Sequence, residues 1–359
     1  MSTVKVINVV HPSSATNNIV LDSSGNASVG GTMAMGSSFM RNRIINGAMV
    51  IDQRNAGAAV TQGTSNLYGV DRFQSVGSVT SKFTFQQSST APAGFINSTV
   101  ITSSAATTLA ATDFYMFGQL IEGLNISDLA WGTANAKTVT LSFWVQSSLT
   151  GTFGGSIQNS DNSRNYPFTY TISSTNTWEQ KSVTITGDTS GTWLTTNGVG
   201  MKVRWSMGAG TTVSGTAGAW SGTLYYSATG ATSVVGTNGA TFYITGVQLE
   251  VGSVATPFER RQYGQELALC ERYYQTASSV LFGGLYQPSG TPGTIRSGAV
   301  YYPVTMRVAP TVTFSGQSYG SCSGLTVDSN QIWGFTTYVS TSGATGFSVA
   351  FSYTSSAEL

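Results

Sequence analysis

The stretch Thr138-Val139-Thr140-Leu141-Ser142-Phe143-Trp144-Val145 decides the fold class. Its apolar side chains stand at 139, 141, 143 and 145. Successive side chains of a strand point to opposite faces, so this period of two puts Val139, Leu141, Phe143 and Val145 on one buried face. A regular strand then aims Trp144 away from that face, toward solvent, a neighbouring loop or another chain. The same alternation recurs on both sides, in Phe83–Gln86, Phe168–Ile172, Lys181–Ile185, Gly200–Trp205 and Ala240–Leu249. Gly, Ser, Thr and Asn turns separate these runs, with no helical pattern between them. Short strands at this spacing argue for an antiparallel β-sandwich, each sheet keeping one solvated side.

Outward from the sandwich, the pattern changes three times. Gln262–Gln275 collects Gln, Glu, Leu and Ala, and predicts a helix. Leu267, Cys270, Glu271 and Tyr274 share its stripe, widened by Leu269 and Tyr273. Such a helix either links two neighbours or packs against copies of itself on a symmetry axis. Beyond it, Gly298–Tyr302, Thr311–Phe314, Gln331–Thr336 and Gly346–Tyr353 return to strands, with Phe347, Val349, Phe351 and Tyr353 on one face. Before the sandwich, Val4–Val10 and Asn18–Gly30 read as strands around a Ser24-Gly25-Asn26 turn, in a segment too short and polar to bury a core of its own. The chain therefore reads as all-β in four parts: an N-terminal β attachment segment (1–41), a jelly-roll β-sandwich (42–260), one short linking helix (261–276) and a small C-terminal β domain (277–359).

Composition excludes whole classes of chemistry. Charged residues are 9% of 359, against about 25% in an ordinary soluble domain. A net charge of +1 offers no basic patch for nucleic acid. One His and two Cys leave no zinc cluster and no CxxC pair, and a Ser-His-Asp site would have to use His11 in a polar stretch. No apolar run approaches the ~18 residues of a membrane helix, so no membrane insertion is expected. The N-terminus lacks the apolar core of a secretion signal. With cytoplasmic synthesis, Cys270 and Cys322 are expected to stay free. Hydrophobic residues at 40% and aromatics at 11% still supply sizeable cores.

Several segments carry a family likeness. Arg43–Arg54 followed by Tyr68-Gly69-Val70-Asp71-Arg72-Phe73 resembles the opening of a domain common in bacteriophage tail fibre proteins. Phe242–Gly252 and Ala255-Thr256-Pro257-Phe258-Glu259 resemble its close, and also the last strand of jelly-roll carbohydrate-binding modules. Gln119–Leu124 and Ala136–Val145 lie between them in the same pattern. Tyr263–Tyr274 resembles the helix that follows, and Tyr302–Val312 the start of the C-terminal domain. The resemblance covers most of the chain from about residue 41 and implies a tail fibre or receptor-binding protein of the virion, usually a homotrimer. It implies no activity.

On this reading the chain is an adhesin for host surface polysaccharide, joined to a phage tail or baseplate protein through its N-terminus. Alternatives are a structural fibre or baseplate protein with mainly protein–protein contacts and, third, a polysaccharide depolymerase. Hydrolysis needs two carboxylates flanking a bond, and no spacing here places such a pair, so a non-enzyme is expected. Sugar binding needs aromatic faces and hydroxyl partners. Candidates standing in polar turns are Trp193, Trp220, Tyr225 and Tyr226 in the sandwich, with Tyr286 and Tyr319 at the C-terminal tip, the expected place of recognition. Leu267, Cys270 and Tyr274 are the expected trimer contacts. No cofactor is expected, though Asp52, Asp71 or Glu250 offer oxygen ligands to a structural calcium.

Overall fold

The computed structural model describes residues 41–285, 293–342 and 346–359, and the backbone of three short strands before them. The chain divides into two compact units, Met1–Arg41 and Asn42–Leu359. In the first, β1 (Asn8–Val9), β2 (Ile19–Leu21) and β3 (Ala27–Val29) form one antiparallel sheet in that order. The expected Ser24-Gly25-Asn26 turn lies outside the described residues.

The second unit opens with a sandwich. Its strands are β4 (Val60–Thr61), β5 (Leu67–Tyr68), β6 (Phe73–Gly77), β7 (Phe83–Ser88), β8 (Ser98–Ser103), β9 (Phe114–Glu122) and β10 (Val139–Ser147). Then follow β11 (Gly151–Gln158), β12 (Asn165–Ile172), β13 (Glu179–Ile185), β14 (Val199–Ala209), the short parallel pair β15 (Ser214–Gly215) and β16 (Ser227–Ala228), and β17 (Thr241–Val251). One six-stranded sheet has the order β13-β10-β17-β8-β7-β4 and the other β12-β11-β14-β9-β6-β5. The chain crosses repeatedly from sheet to sheet, so residues distant in sequence meet on each face. The alternating residues behave as their period dictates: Val139, Leu141, Phe143 and Val145 are fully buried against Phe242, Ile244, Val247 and Leu249 of the same sheet and Trp205 of the other.

The step from Ile244 to Val247 breaks that period, and a bulge accounts for it. Ser142 pairs with Gln248 but Trp144 pairs with Thr245, so β17 carries one extra residue there. Gly246 takes it up with φ +60°. A Cβ at this position would stand 2.7 Å from Phe95 and 3.0 Å from Trp144, and only glycine admits both rings.

The helix α1 spans Tyr263–Glu271, shorter than the expected Gln262–Gln275. Arg272 and Tyr273 leave it because their side chains are claimed by the sandwich. The Glu122 carboxylate accepts from Arg272 Nε and Nη2 at 2.9 and 2.6 Å and from the Tyr273 hydroxyl at 2.6 Å. Tyr274 already begins β18. Cys270 and Tyr273 pack with Ile45 and Ile51, and Leu267 is half-buried beside them. Cys270 is 1% exposed and Tyr274 8%, so two of the three expected trimer contacts are covered within their own chain. Both cysteines are free.

The C-terminal strands are β18 (Tyr274–Leu285), β19 (Gly293–Tyr301), β20 (Thr311–Gly320), β21 (Cys322–Gln331), β22 (Gly334–Thr341) and β23 (Gly346–Ser356), in sheets ordered β18-β23-β20 and β19-β22-β21. Val349, Phe351 and Tyr353 enter its core with Phe335 and Val339, as their alternation requires. The polar turns expected to carry Tyr286 and Tyr319 are strands where the structure describes them: Phe282–Leu285 continues β18, and Ser315–Gly320, with Tyr319, belongs to β20. Both strands hydrogen-bond to β23, whose ladder holds residues of weak β preference in line.

A buried ionic joint ties this part to the sandwich. Glu358 pairs with Arg54 at 2.5 Å and with Arg72, whose side chain is 1% exposed. Arg72 lies over the Tyr273 ring at 3.5 Å and donates to Leu120 O at 2.7 Å. Arg307 donates to Ala357 O, Glu358 O and Asn197 O. No helix among the described residues is long and apolar enough to cross a membrane.

Candidate functional site

The aromatic candidates read from the sequence do not gather in one place. Trp193 is 7% exposed and meets Trp131 and Trp220 edge to face at 4.7 and 5.5 Å. Its indole N–H points to Asp188 and Ser190 O at 3.3 Å, while that of Trp220 reaches Thr186 O at 2.8 Å. Tyr166 closes the group at 5.2 Å from Trp220. These rings plug one end of the sandwich core. Tyr225 lies against Gly215, and Tyr226 stacks on Phe114 at 4.1 Å. Tyr319, 41% exposed, stands on β20 with its hydroxyl near Leu325 N. Tyr286 lies outside the described residues.

The three carboxylates proposed for calcium have protein partners. Asp52 caps a turn through Asn55 N at 3.0 Å and Gly57 N at 2.6 Å. Asp71 accepts from the Gln53 backbone and amide, and burial, offset in part by Gln53 and Arg54, raises its pKa to about 6. Glu250 accepts from Thr256 N at 2.8 Å and Thr256 Oγ1 at 2.6 Å. No group of three or more His, Cys, Asp or Glu among the described residues is placed to hold a metal ion.

A cleft that periodicity alone does not reveal lies on the outer face of the β10-containing sheet. Trp144 forms its floor, half-buried, beside Gln180, its direct cross-strand partner on β13. One wall is Phe95, from the β7–β8 connection. Beside it, in contact with Phe95, runs the strap Ala255–Phe258, with Arg260 at its end. The strap is fixed by outward side chains of β17: Glu250 holds Thr256, and Gln248 Oε1 accepts from Glu259 N at 2.7 Å. Phe95 and Phe258 meet edge to face at 5.2 Å, and the Arg260 guanidinium covers both rings at 4.7 and 5.7 Å while donating to Gly94 O. The cleft is open to solvent and offers about 520 Å³. Along the same face, Tyr243 pairs across strands with Gln146 and meets Trp178 at 6.1 Å, which extends the aromatic surface.

This arrangement presents a partly exposed indole, two phenyl rings, an amide and a guanidinium, with no carboxylate among its lining residues. Aromatic faces of this kind cover the apolar face of a ring, while the amide and guanidinium donate hydrogen bonds to oxygen.

No protein-family profile matches the chain, and no curated protein sequence matches it. Solved structures resemble it at low identity. A sugar-binding protein, so described, from Bacteroides thetaiotaomicron is 12% identical over 59% of this chain and 100% of its own, with a TM-score of 0.34. The enzymatically active domain of tailspike protein 4 of bacteriophage CBA120 is 12% identical over 59% of this chain and only 22% of its own, with a TM-score of 0.31. The family 11 carbohydrate-binding module of a Clostridium thermocellum cellulosomal cellulase is 10% identical over 56% of this chain and 100% of its own, with a TM-score of 0.29.

Proposed function

We propose that the chain is a non-catalytic glycan-binding protein, and that the Trp144 cleft is where it holds neutral saccharide. The observation that carries this is the cleft itself: an indole floor beside an exposed amide, lined by Phe95, Phe258 and Arg260. A pyranose has an apolar C–H face and an equatorial rim of hydroxyls, and this lining offers a counterpart to each. Its volume lies within the ~300–1,000 Å³ of ordinary ligand pockets. The lining lacks the carboxylate pair that glycoside hydrolysis uses, which favours binding over cleavage.

The wider reading is a trimeric virion adhesin of the tail-fibre kind, its residues 1–41 joining a phage tail or baseplate protein and its cleft meeting host polysaccharide. Support for it is the set of tail-fibre-like segments together with a low-charge, polar, β-rich composition. Weak sites repeated threefold gain by avidity. The test is a glycan array on the purified full chain, followed by titration of the best neutral oligosaccharide into wild type and Trp144→Ala. Binding that the substitution abolishes supports the proposal, and equal binding by both proteins refutes the cleft assignment.

A further inference from the structure

A second hollow adjoins the Trp144 cleft and shares two of its side chains, Phe258 and Arg260. Segments remote in sequence build it. The stretch before β4 buries Met49 completely and leaves Ala48 and Val50 half-buried along the hollow. That stretch is fixed by Val247 N, which donates to Gly47 O at 2.9 Å, and by Gln87 Nε2, which donates to Met49 O at 2.6 Å. The β7–β8 connection lends Phe95 to the cleft and the next residue, Ile96, to the hollow. The start of α1 adds Tyr263 and Glu266, which three-residue spacing puts on one helix face. The hollow is half open and offers about 240 Å³.

Its polar lining is turned to the protein. Arg261 Nη1 donates to Ile44 O at 3.1 Å and pairs with Glu266 Oε1 at 3.3 Å, and Glu266 also accepts from Asn46 N. Arg260 lies over Phe95 and Phe258 and donates to Gly94 O at 2.6 Å. Ala48, Val50, Ile96, Phe258 and the Tyr263 ring supply the apolar lining. Ile96 is 73% exposed and Tyr263 63%. One exposed apolar side chain is ordinary, but two beside a concave apolar lining fit a ligand groove. The volume falls below the ~300–1,000 Å³ of an ordinary ligand pocket, which suits a substituent rather than a whole ligand. At ~30 Å³ per water it has room for about eight waters, or for a hydrocarbon chain of roughly as many carbons.

We infer that this hollow is a second subsite for the ligand of the cleft, and that this ligand is a saccharide carrying an apolar substituent, an acyl or alkyl chain of up to about eight carbons. The sugar ring lies on Trp144. The chain passes the shared Phe258 and Arg260 and lies between Ile96, Val50 and Tyr263. The inference rests on the glycan-binding reading of the cleft.

The test is calorimetric titration of the full chain with methyl, butyl, hexyl and octyl β-glucosides below their micelle-forming concentrations, and with sodium octanoate. Affinity should rise roughly fourfold for each methylene buried. Octanoate, which has the chain without the sugar, should bind at least tenfold more weakly than octyl glucoside. Ile96→Ser and Tyr263→Ala alter exposed positions, so folding should be kept. Each should cost octyl glucoside at least tenfold and leave the best neutral oligosaccharide unchanged. Trp144→Ala should weaken octyl glucoside as well, because the sugar end is lost. A wild type indifferent to chain length, or a chain-length rise that survives both rim variants, overturns the inference. A flat response joined to a mass by light scattering that falls in Tyr263→Ala would assign the hollow to a second copy of the chain instead. Octanoate binding as tight as octyl glucoside would mean a fatty-acid site. Octyl glucoside binding untouched by Trp144→Ala would mean that the two hollows share no ligand, and it overturns the inference too. Any of these failures, with Trp144→Ala still abolishing neutral oligosaccharide binding, leaves the first cleft standing.

Discussion

Gly246 is the residue on which the Trp144 cleft turns. Its positive φ takes up the bulge, and its missing side chain lets Phe95 and Trp144 approach the backbone. Gly246→Ala would impose both backbone strain and a steric clash, costing about 1–3 kcal/mol. Urea unfolding should show that loss, and neutral-sugar affinity should fall with it. Unchanged stability and affinity would mean that the bulge does not shape the cleft. Asp71 makes a second claim at this scale. Its folded pKa of about 6 lies above an unfolded value near 4. A carboxyl raised in this way contributes stability below the unfolded value and loses it as pH rises through 6. Asp71→Asn cannot titrate, so its stability relative to wild type should climb between pH 4 and 7, by about 3 kcal/mol at most. A difference independent of pH contradicts the raised value. Sequence periodicity was enough to turn Trp144 outward. It could not show Phe95, Phe258 or Arg260 beside it, because loop residues up to 165 positions apart in number carry no shared period.

At the scale of elements, period-two runs were the legible signal and side-chain competition the illegible one. Phe83–Gln86, Lys181–Ile185 and Gly200–Trp205 each fall inside an observed strand. The Gly- and Ser-rich residues of β18 and β20 gave no such signal, since a partner strand rather than their own preference holds them extended. The helix was readable in place but not in length, because Glu122 recruits Arg272 and Tyr273 from 150 residues away. Burial alone would raise the pKa of Glu122, but hydrogen bonds from Arg272 and Tyr273 outweigh it and hold the carboxyl below its usual range. A depressed pKa contributes stability above the unfolded value and loses it as pH falls through the folded one. Glu122→Gln should therefore destabilise at pH 7, with a penalty that shrinks on acidification. Arg272 keeps 30% exposure, so about 2–3 kcal/mol is expected rather than the cost of stranding a fully buried charge. An equal penalty at pH 3 and pH 7, read by thermal unfolding, would remove the ionic explanation.

For the molecule as a whole, the family-like segments acquire a physical role. Asn46, Asp71, Arg72, Glu122, Arg272 and Arg307 belong to one hydrogen-bonded joint between the sandwich, α1 and the C-terminal strands. The joint predicts that the two β parts of residues 42–359 unfold as one. Glu358→Gln, which strips Arg54 and Arg72 of their shared carboxylate, should lower a single melting transition rather than split it. Two separate calorimetric transitions in the wild type would contradict that coupling. Association is a different matter: the buried Cys270 and Tyr274 place any trimer seam elsewhere than along those side chains, and light scattering should return three times the 37.6 kDa chain mass. The central claim remains that the outer face of the β10 sheet holds neutral sugar against Trp144. The most direct measurement is isothermal titration of the best array-selected neutral oligosaccharide into wild type, Trp144→Ala and Trp193→Phe. Binding lost in Trp144→Ala and kept in Trp193→Phe is the predicted result; binding kept in Trp144→Ala would contradict the account.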